Sequence, residues 1–227
     1  MDNRSKKLIG LVRVGIPLAL MPLVIFFGTA FLGERQHLFV SVTLACLSIL
    51  AFLGGFEMRE STTRRSVVLA IMVALCVVGR IIPIFKPVSA ITIIAAIYLG
   101  AESGFAVGAL AALVSNFIFG QGPWTPFQML GWGMIGFGAG LLSKPLHKSR
   151  VFLIIYGAIS GIAYSLVTDV WTVLWSNGNF NASLYKAALI SALPHTAIYV
   201  ISNVVFLFLM AKPFDKKLGR IKIKYGI

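Results

Sequence analysis

The sequence predicts an all-α fold, a polytopic helical bundle embedded in a membrane. Three observations carry that expectation. First, 58% of the 227 residues are hydrophobic and only 12% are charged, about half the charged share of an ordinary soluble domain. Second, the apolar residues come in long unbroken blocks, several exceeding the ~18 residues that mark a membrane-crossing helix. Third, the basic residues cluster at the ends of these blocks, as the positive-inside rule requires. The formal charge of +13 therefore reports topology rather than nucleic-acid binding.

The first block, 8–32, follows Arg4, Lys6 and Lys7. Gly28-Thr29-Ala30 loosely resembles a signal cleavage site, but the block is far longer than the 7–15 apolar residues of a signal-peptide core. It is expected to remain as a helix. The next blocks are 37–56, 66–82, 88–101, 103–120, 125–142, 151–175 and 184–211. The fourth rises only ~21 Å against a hydrocarbon core of ~30 Å, so a crossing and a re-entrant segment are both open. Charge favours the crossing. Eight spans with the N-terminus inside place Arg4, Lys6, Lys7 and Arg13, then Arg59, Arg64 and Arg65, then Lys144, Lys148 and Arg150 on the cytoplasmic side. The tail residues Lys212, Lys216, Lys217, Arg220, Lys222 and Lys224 join them. Sixteen basic residues then lie inside, and four (Arg35, Arg80, Lys86 and Lys186) lie outside. Removing one span would turn the last two clusters outward. Both termini are thus expected in the cytoplasm.

The loops are short and leave no room for a soluble catalytic or nucleotide-binding domain. The sequence has no GxxxxGK[ST] phosphate loop, no HExxH and no GxSxG. Repeated halves and coupling carboxylates, the marks of a secondary transporter, are also missing. Cys46 and Cys76 occupy separate apolar blocks and read as packing residues rather than a disulfide. With three histidines and no acidic companions beside them, no metal site is expected. No cofactor is expected either.

Small residues recur at four-residue spacing: Ala70 and Ala74; Gly104, Gly108 and Ala112; Gly136 and Gly140; Gly157 and Gly161; Ala188 and Ala192. In lipid such stripes let helix backbones approach closely. Most read as internal packing, while a stripe on the surface would dock another membrane subunit.

Polar groups at membrane depth are expensive and mark functional candidates. Arg80 and Asp169 lie near the outer ends of their blocks, with Trp171 and Trp175 following the acid. Asn116, Gln121, Trp124, Gln128 and Trp132 belong to the same layer. Trp124 alone would suit an interfacial aromatic belt, but Gln128 lies deeper and needs protein or a cavity beside it. His195 follows Pro194, which interrupts the helix hydrogen-bond ladder and frees a carbonyl. Amides, indoles, one acid and one base at one level suggest a pocket for a polar organic molecule.

The segments RRSVVLAIMVALCVVGRIIP, PVSAITIIAAIYLGAESGFAVGALAALVSNFIFGQGPW and TPFQMLGWGMIGFGAGLL, in this order, resemble the substrate-binding S components of energy-coupling factor (ECF) vitamin transporters. The likeness covers roughly residues 60–212, and it is strongest toward the cobalamin-specific members. It implies a six-helix domain over 58–227 with a basic cytoplasmic tail, preceded by two additional helices in 1–57. It also implies a multi-pass protein of the bacterial cell membrane that binds a vitamin but is not an enzyme. The vitamin would be cobalamin or another corrinoid as transported substrate, with pantothenate or folate as alternatives. Partners would be a T subunit, which docks on Ala70 and Ala74, and two cytoplasmic ATPases. The substrate site would comprise Arg80, Asn116, Gln121, Trp124, Gln128, Trp132, Asp169, Trp171 and His195. Two other readings stay open: a membrane enzyme using Asp169 and His195, and an assembly scaffold.

Overall fold

A computed structural model gives the architecture of the chain and describes residues 15–31, 39–40, 42–44, 46–47 and 63–225. The described residues contain no strand. A π-helical turn, Ile16–Leu20, leads into α1, Met21–Phe31. The expected span 37–56 lies mostly outside the described residues, but 39–40, 42–44 and 46–47 are helical, with Val40, Leu44 and Leu47 buried. These residues share one apolar cluster with the rest of the bundle.

Six longer helices follow, with a short one among them. They are α2 (Thr63–Ile81), α3 (Val88–Leu99), α4 (Ala101–Phe119) and α5 (Thr125–Leu141), then the short α6 (Ser143–Lys148), then α7 (Arg150–Asn177) and α8 (Ala182–Tyr225). Among the described residues, three of these are long and apolar enough to cross a membrane alone: α4, α7 and α8. Their outward faces carry exposed Phe117, Ile155, Ile159, Ile190, Ile201 and Phe208. Such a surface suits hydrocarbon rather than water.

The short block 88–101 becomes the centre of the bundle. Its helix α3 has 12 residues, and ten of them are buried. A helix apolar all round is stable only when surrounded, and here α2, α4, α5 and α8 pack about it. At 1.5 Å per residue it rises about 18 Å. Ringed by protein, it does not have to match the hydrocarbon thickness by itself. It turns into α4 through Gly100 alone, at φ 88°, where a side chain would be strained. Arg65 closes this turn by donating to the Leu99 carbonyl and to Ser103 Oγ at 2.7 Å. The cation thus sits at the C-terminus of α3, where the helix dipole favours it.

The glycine stripes join α4 to α5 backbone to backbone. A Cβ on Gly136 would lie 2.2 Å from the Gly104 carbonyl oxygen, and one on Gly108 would lie 2.3 Å from that of Trp132. Between α7 and α8, Gly157 admits the Leu207 side chain and Gly161 admits the Val200 backbone. Ala70 and Ala74 differ, for both are exposed on α2 beside exposed Val67, Ile71 and Val78.

The last block extends beyond its expected end at 211. The helix α8 runs through 44 residues, including Pro194 and Pro213. The added part is amphipathic: Leu218 is buried, Phe214 and Ile221 pack on the core, and the lysines face out. The tail therefore carries a packed helical face that its charge alone does not reveal.

Candidate functional site

The site lies at the end of the bundle opposite the basic clusters, where α2 and α4 end, α5 begins, and α7 and α8 meet their loop. It is built around Arg80. This guanidinium is only 9% exposed. Its Nη1 donates to Ser115 Oγ and, at 2.7 Å, to Asn116 Oδ1. Its Nη2 lies 3.5 Å from Gln128 Oε1. The rings of Phe119 and Trp132 cover it at 4.8 and 5.1 Å. All five partners are neutral. They desolvate and orient the cation without cancelling its charge, so its field remains available to a ligand.

A chain of hydrogen bonds fixes this arrangement. Asn116 Nδ2 donates to Thr125 Oγ1 at 2.7 Å and to Gln128 Oε1 at 2.9 Å. Thr125 donates to Gln121 Oε1 at 3.1 Å, and Gln121 Nε2 donates to the Leu113 carbonyl at 2.8 Å. The loop between α4 and α5 is thereby tied to both helices. Trp132, fully buried, stacks on Tyr164 at 4.5 Å with an interplanar angle of 8°. Tyr199 meets Tyr164 edge-on at 5.0 Å. These are favourable ring geometries, each contributing about 0.5–1.5 kcal/mol beyond burial.

Beside this network is a cavity of about 430 Å³, within the range of small-molecule sites. Arg80, Lys86, Phe119 and Gln128 form one side. From α7 come Tyr164, Ser165, Thr168, Asp169 and Thr172; from α8 come Ala188, Ser191, Ala192, His195 and Tyr199. Lys86 is held there through its backbone N–H, which donates to Ser202 Oγ at 2.9 Å. The preceding Ile84 has φ 64°, a costly conformation for a β-branched residue. Asp169 is 7% exposed, and its Oδ2 has no hydrogen-bond partner. A buried acceptor left open at a cavity wall is a place for a ligand donor.

Of the residues expected from sequence, Arg80, Gln128, Asp169 and His195 line this cavity. Asn116 lies behind Arg80 and holds it, and Trp132 supports the wall through Tyr164. Gln121, Trp124 and Trp171 do not line it. Gln121 braces the loop, Trp124 covers Gly122, and Trp171 packs between Phe127 and Trp175. Their types suit a pocket, but each already has a structural neighbour that uses its polar or flat surface.

Sequence reasoning missed Tyr164, Thr168 and Thr172, and also Ser191 and Tyr199. A signal existed: Tyr164, Thr168 and Thr172 recur every four residues along an otherwise apolar span, as do Ser165 and Asp169. On a helix that spacing puts them on one face.

Among the described residues, helices with apolar exteriors surround a buried cation, and beside it a partly open polar cavity has the size of a small-molecule site. Residues 60–214 match the family model of the ECF-type riboflavin transporter S component. The chain belongs to this family, whose members are transport-binding subunits and not enzymes. It has no match among curated proteins and none among solved structures.

Proposed function

We propose that the cavity captures a vitamin of the flavin type from outside the cell, for delivery through a T subunit and two ATPases. The observation that carries this reading is the make-up of the cavity walls. Phe119, Tyr164 and Tyr199 offer aromatic surface; Arg80 and Lys86 offer cations; Asp169 offers an open acceptor. A flat heteroaromatic ring with a carbonyl and N–H edge and a hydroxylated chain matches that combination. Rings meet rings, carbonyls meet the cations, and an N–H or O–H meets Asp169. The riboflavin named in the family description supports the same chemistry.

The resemblance implied a corrinoid, whose many amides would suit a layer rich in amide side chains. Gln128 and Asn116 instead direct their amide oxygens toward Arg80. A cavity of about 430 Å³ is also tight for a corrinoid, which is far larger than a flavin. The outward direction follows from the basic asymmetry, which puts Arg64, Arg65, Lys144, Lys148 and Lys212 at the opposite, cytoplasmic end. The same asymmetry supports the expectation that both termini are cytoplasmic. Energy would come from the ATPases, since this sequence has no phosphate-binding loop.

The test is a binding panel on the purified full chain in detergent, without ATP. Riboflavin fluorescence should be quenched saturably on ring stacking, and cobalamin, pantothenate and folate should neither bind nor compete. Saturable cobalamin binding without riboflavin binding would restore the corrinoid. Absence of binding by all four would remove the vitamin assignment.

A further inference from the structure

A second cavity lies at the other end of the bundle. Its volume is about 230 Å³, and it opens between the C-terminal half of α3, the α6–α7 junction and α8. Its inner wall is apolar, formed by Ile94, Leu146, Leu153 and Ala211. Its rim is cationic, formed by Lys148, Arg150 and Lys212. A further groove of about 520 Å³ continues from it, shares Ile97, Tyr98, His147 and Asp215, and adds Lys144 and Lys222.

Asp215 is the one acid on this rim, and it is already engaged. Tyr98 donates its hydroxyl to Asp215 Oδ1, and His147 Nδ1 stands 3.9 Å from the same oxygen. The carboxylate oxygen Oδ1 is thereby engaged by its own neighbours. Arg150 is anchored too, donating to the Phe208 carbonyl with its guanidinium 4.4 Å over the Phe208 ring. Lys148 and Lys212 are both exposed and line the cavity. The positive dipole end of α7, a helix of 28 residues, begins at Arg150 on this rim, where Ser149 Oγ already accepts from the Phe152 N–H.

The level of this cavity is equally informative. The apolar run of α8 gives way to lysine at Ala211–Lys212, and α7 begins its apolar run after Arg150. Apolar wall and cationic rim thus meet where hydrocarbon gives way to headgroups.

We propose that this cavity is a binding site for one anionic membrane phospholipid. Its phosphate is held by Lys148, Lys212 and the N-terminus of α7, and an acyl chain lies on Ile94, Leu153 and Ala211. A free phosphate satisfies the rim but leaves the apolar wall empty, whereas a zwitterionic lipid fills the wall and brings a cation to the lysines. An anionic lipid meets both demands.

The experiment is native mass spectrometry of the full chain in detergent with added phosphatidylglycerol or phosphatidylcholine. Phosphatidylglycerol should bind as a single retained adduct more strongly than phosphatidylcholine. The double variant Lys148→Ala/Lys212→Ala should lower that retention about tenfold or more. Lys148→Arg/Lys212→Arg should preserve it, as should Lys186→Ala at the opposite end. Equal retention of the two lipids would overturn the proposal. So would an undiminished adduct in the double alanine variant, or displacement of phosphatidylglycerol by millimolar inorganic phosphate.

Discussion

At the scale of single residues, Arg80 and Asp169 divide the work of the cavity. Arg80 is held by neutral partners, so its position depends on the protein while its charge stays open to a ligand. Asp169 has the opposite condition, an acceptor oxygen with nothing to accept from. Asp169→Asn keeps the shape and removes the charge. It is expected to weaken flavin binding by ten- to a hundredfold, since a hydrogen bond to a charged group contributes about 1.5–3 kcal/mol. Titration by flavin fluorescence, alongside a thermal melt that should not fall, checks this. Both residues were legible in the sequence because an ionisable group inside an apolar block stands out. Tyr164 and Tyr199 were not, for a tyrosine in a membrane span has several ordinary uses. Only the fold brings Trp132 parallel to Tyr164 and Tyr199 edge-on to it.

At the scale of elements, the boundaries of α2 to α5 and of α7 follow the sequence closely, and the reason is punctuation; the short α6 was not expected. Gly100, Gly120 and Gly178 each adopt positive φ directly after a helix, and Pro126 lies in the first turn of α5. The end of α8 was not legible in this way. Lysines after Ala211 signal the membrane boundary, and a helix can cross that boundary and continue in water. The glycine contacts also yield a sharp expectation. Gly136→Ala would bring a Cβ to 2.2 Å from the Gly104 carbonyl oxygen, a backbone atom that cannot rotate away. Separating α4 from α5 should cost about 1–3 kcal/mol or more, seen as a lowered thermal midpoint in detergent. Gly219→Ala is the control, because nothing lies within 4 Å of a Cβ there.

At the scale of the whole molecule, cavity and exposed small-residue face occupy different parts of the bundle. The cavity walls come chiefly from α7 and α8, whereas Ala70 and Ala74 lie outward on α2. If the alanine face meets the T subunit, Ala70→Leu/Ala74→Leu should abolish co-purification with it and leave vitamin affinity within about twofold. Normal co-purification by that variant would move the docking surface elsewhere. The division was foreseeable only in part. Four-residue spacing identifies a close-packing stripe, but which stripes are filled depends on helix rotation: those of α4, α5 and α7 are packed, Ala188 and Ala192 line the cavity, and Ala70 and Ala74 are exposed.

The length of α8 links the two ends of the protein. His195, at the larger cavity, and Asp215, at the smaller one, belong to the same helix. Their separation along its axis is about 30 Å at 1.5 Å per residue. Pro194 interrupts the hydrogen-bond ladder at the first of these points, where helices bend most readily. A bend at that point would make the helix a lever arm with its pivot beside the cavity. A rotation of roughly 5° at Pro194 would displace the far end by about 3 Å over that length, so a small change of angle at one end of the bundle becomes a side-chain-sized shift at the other.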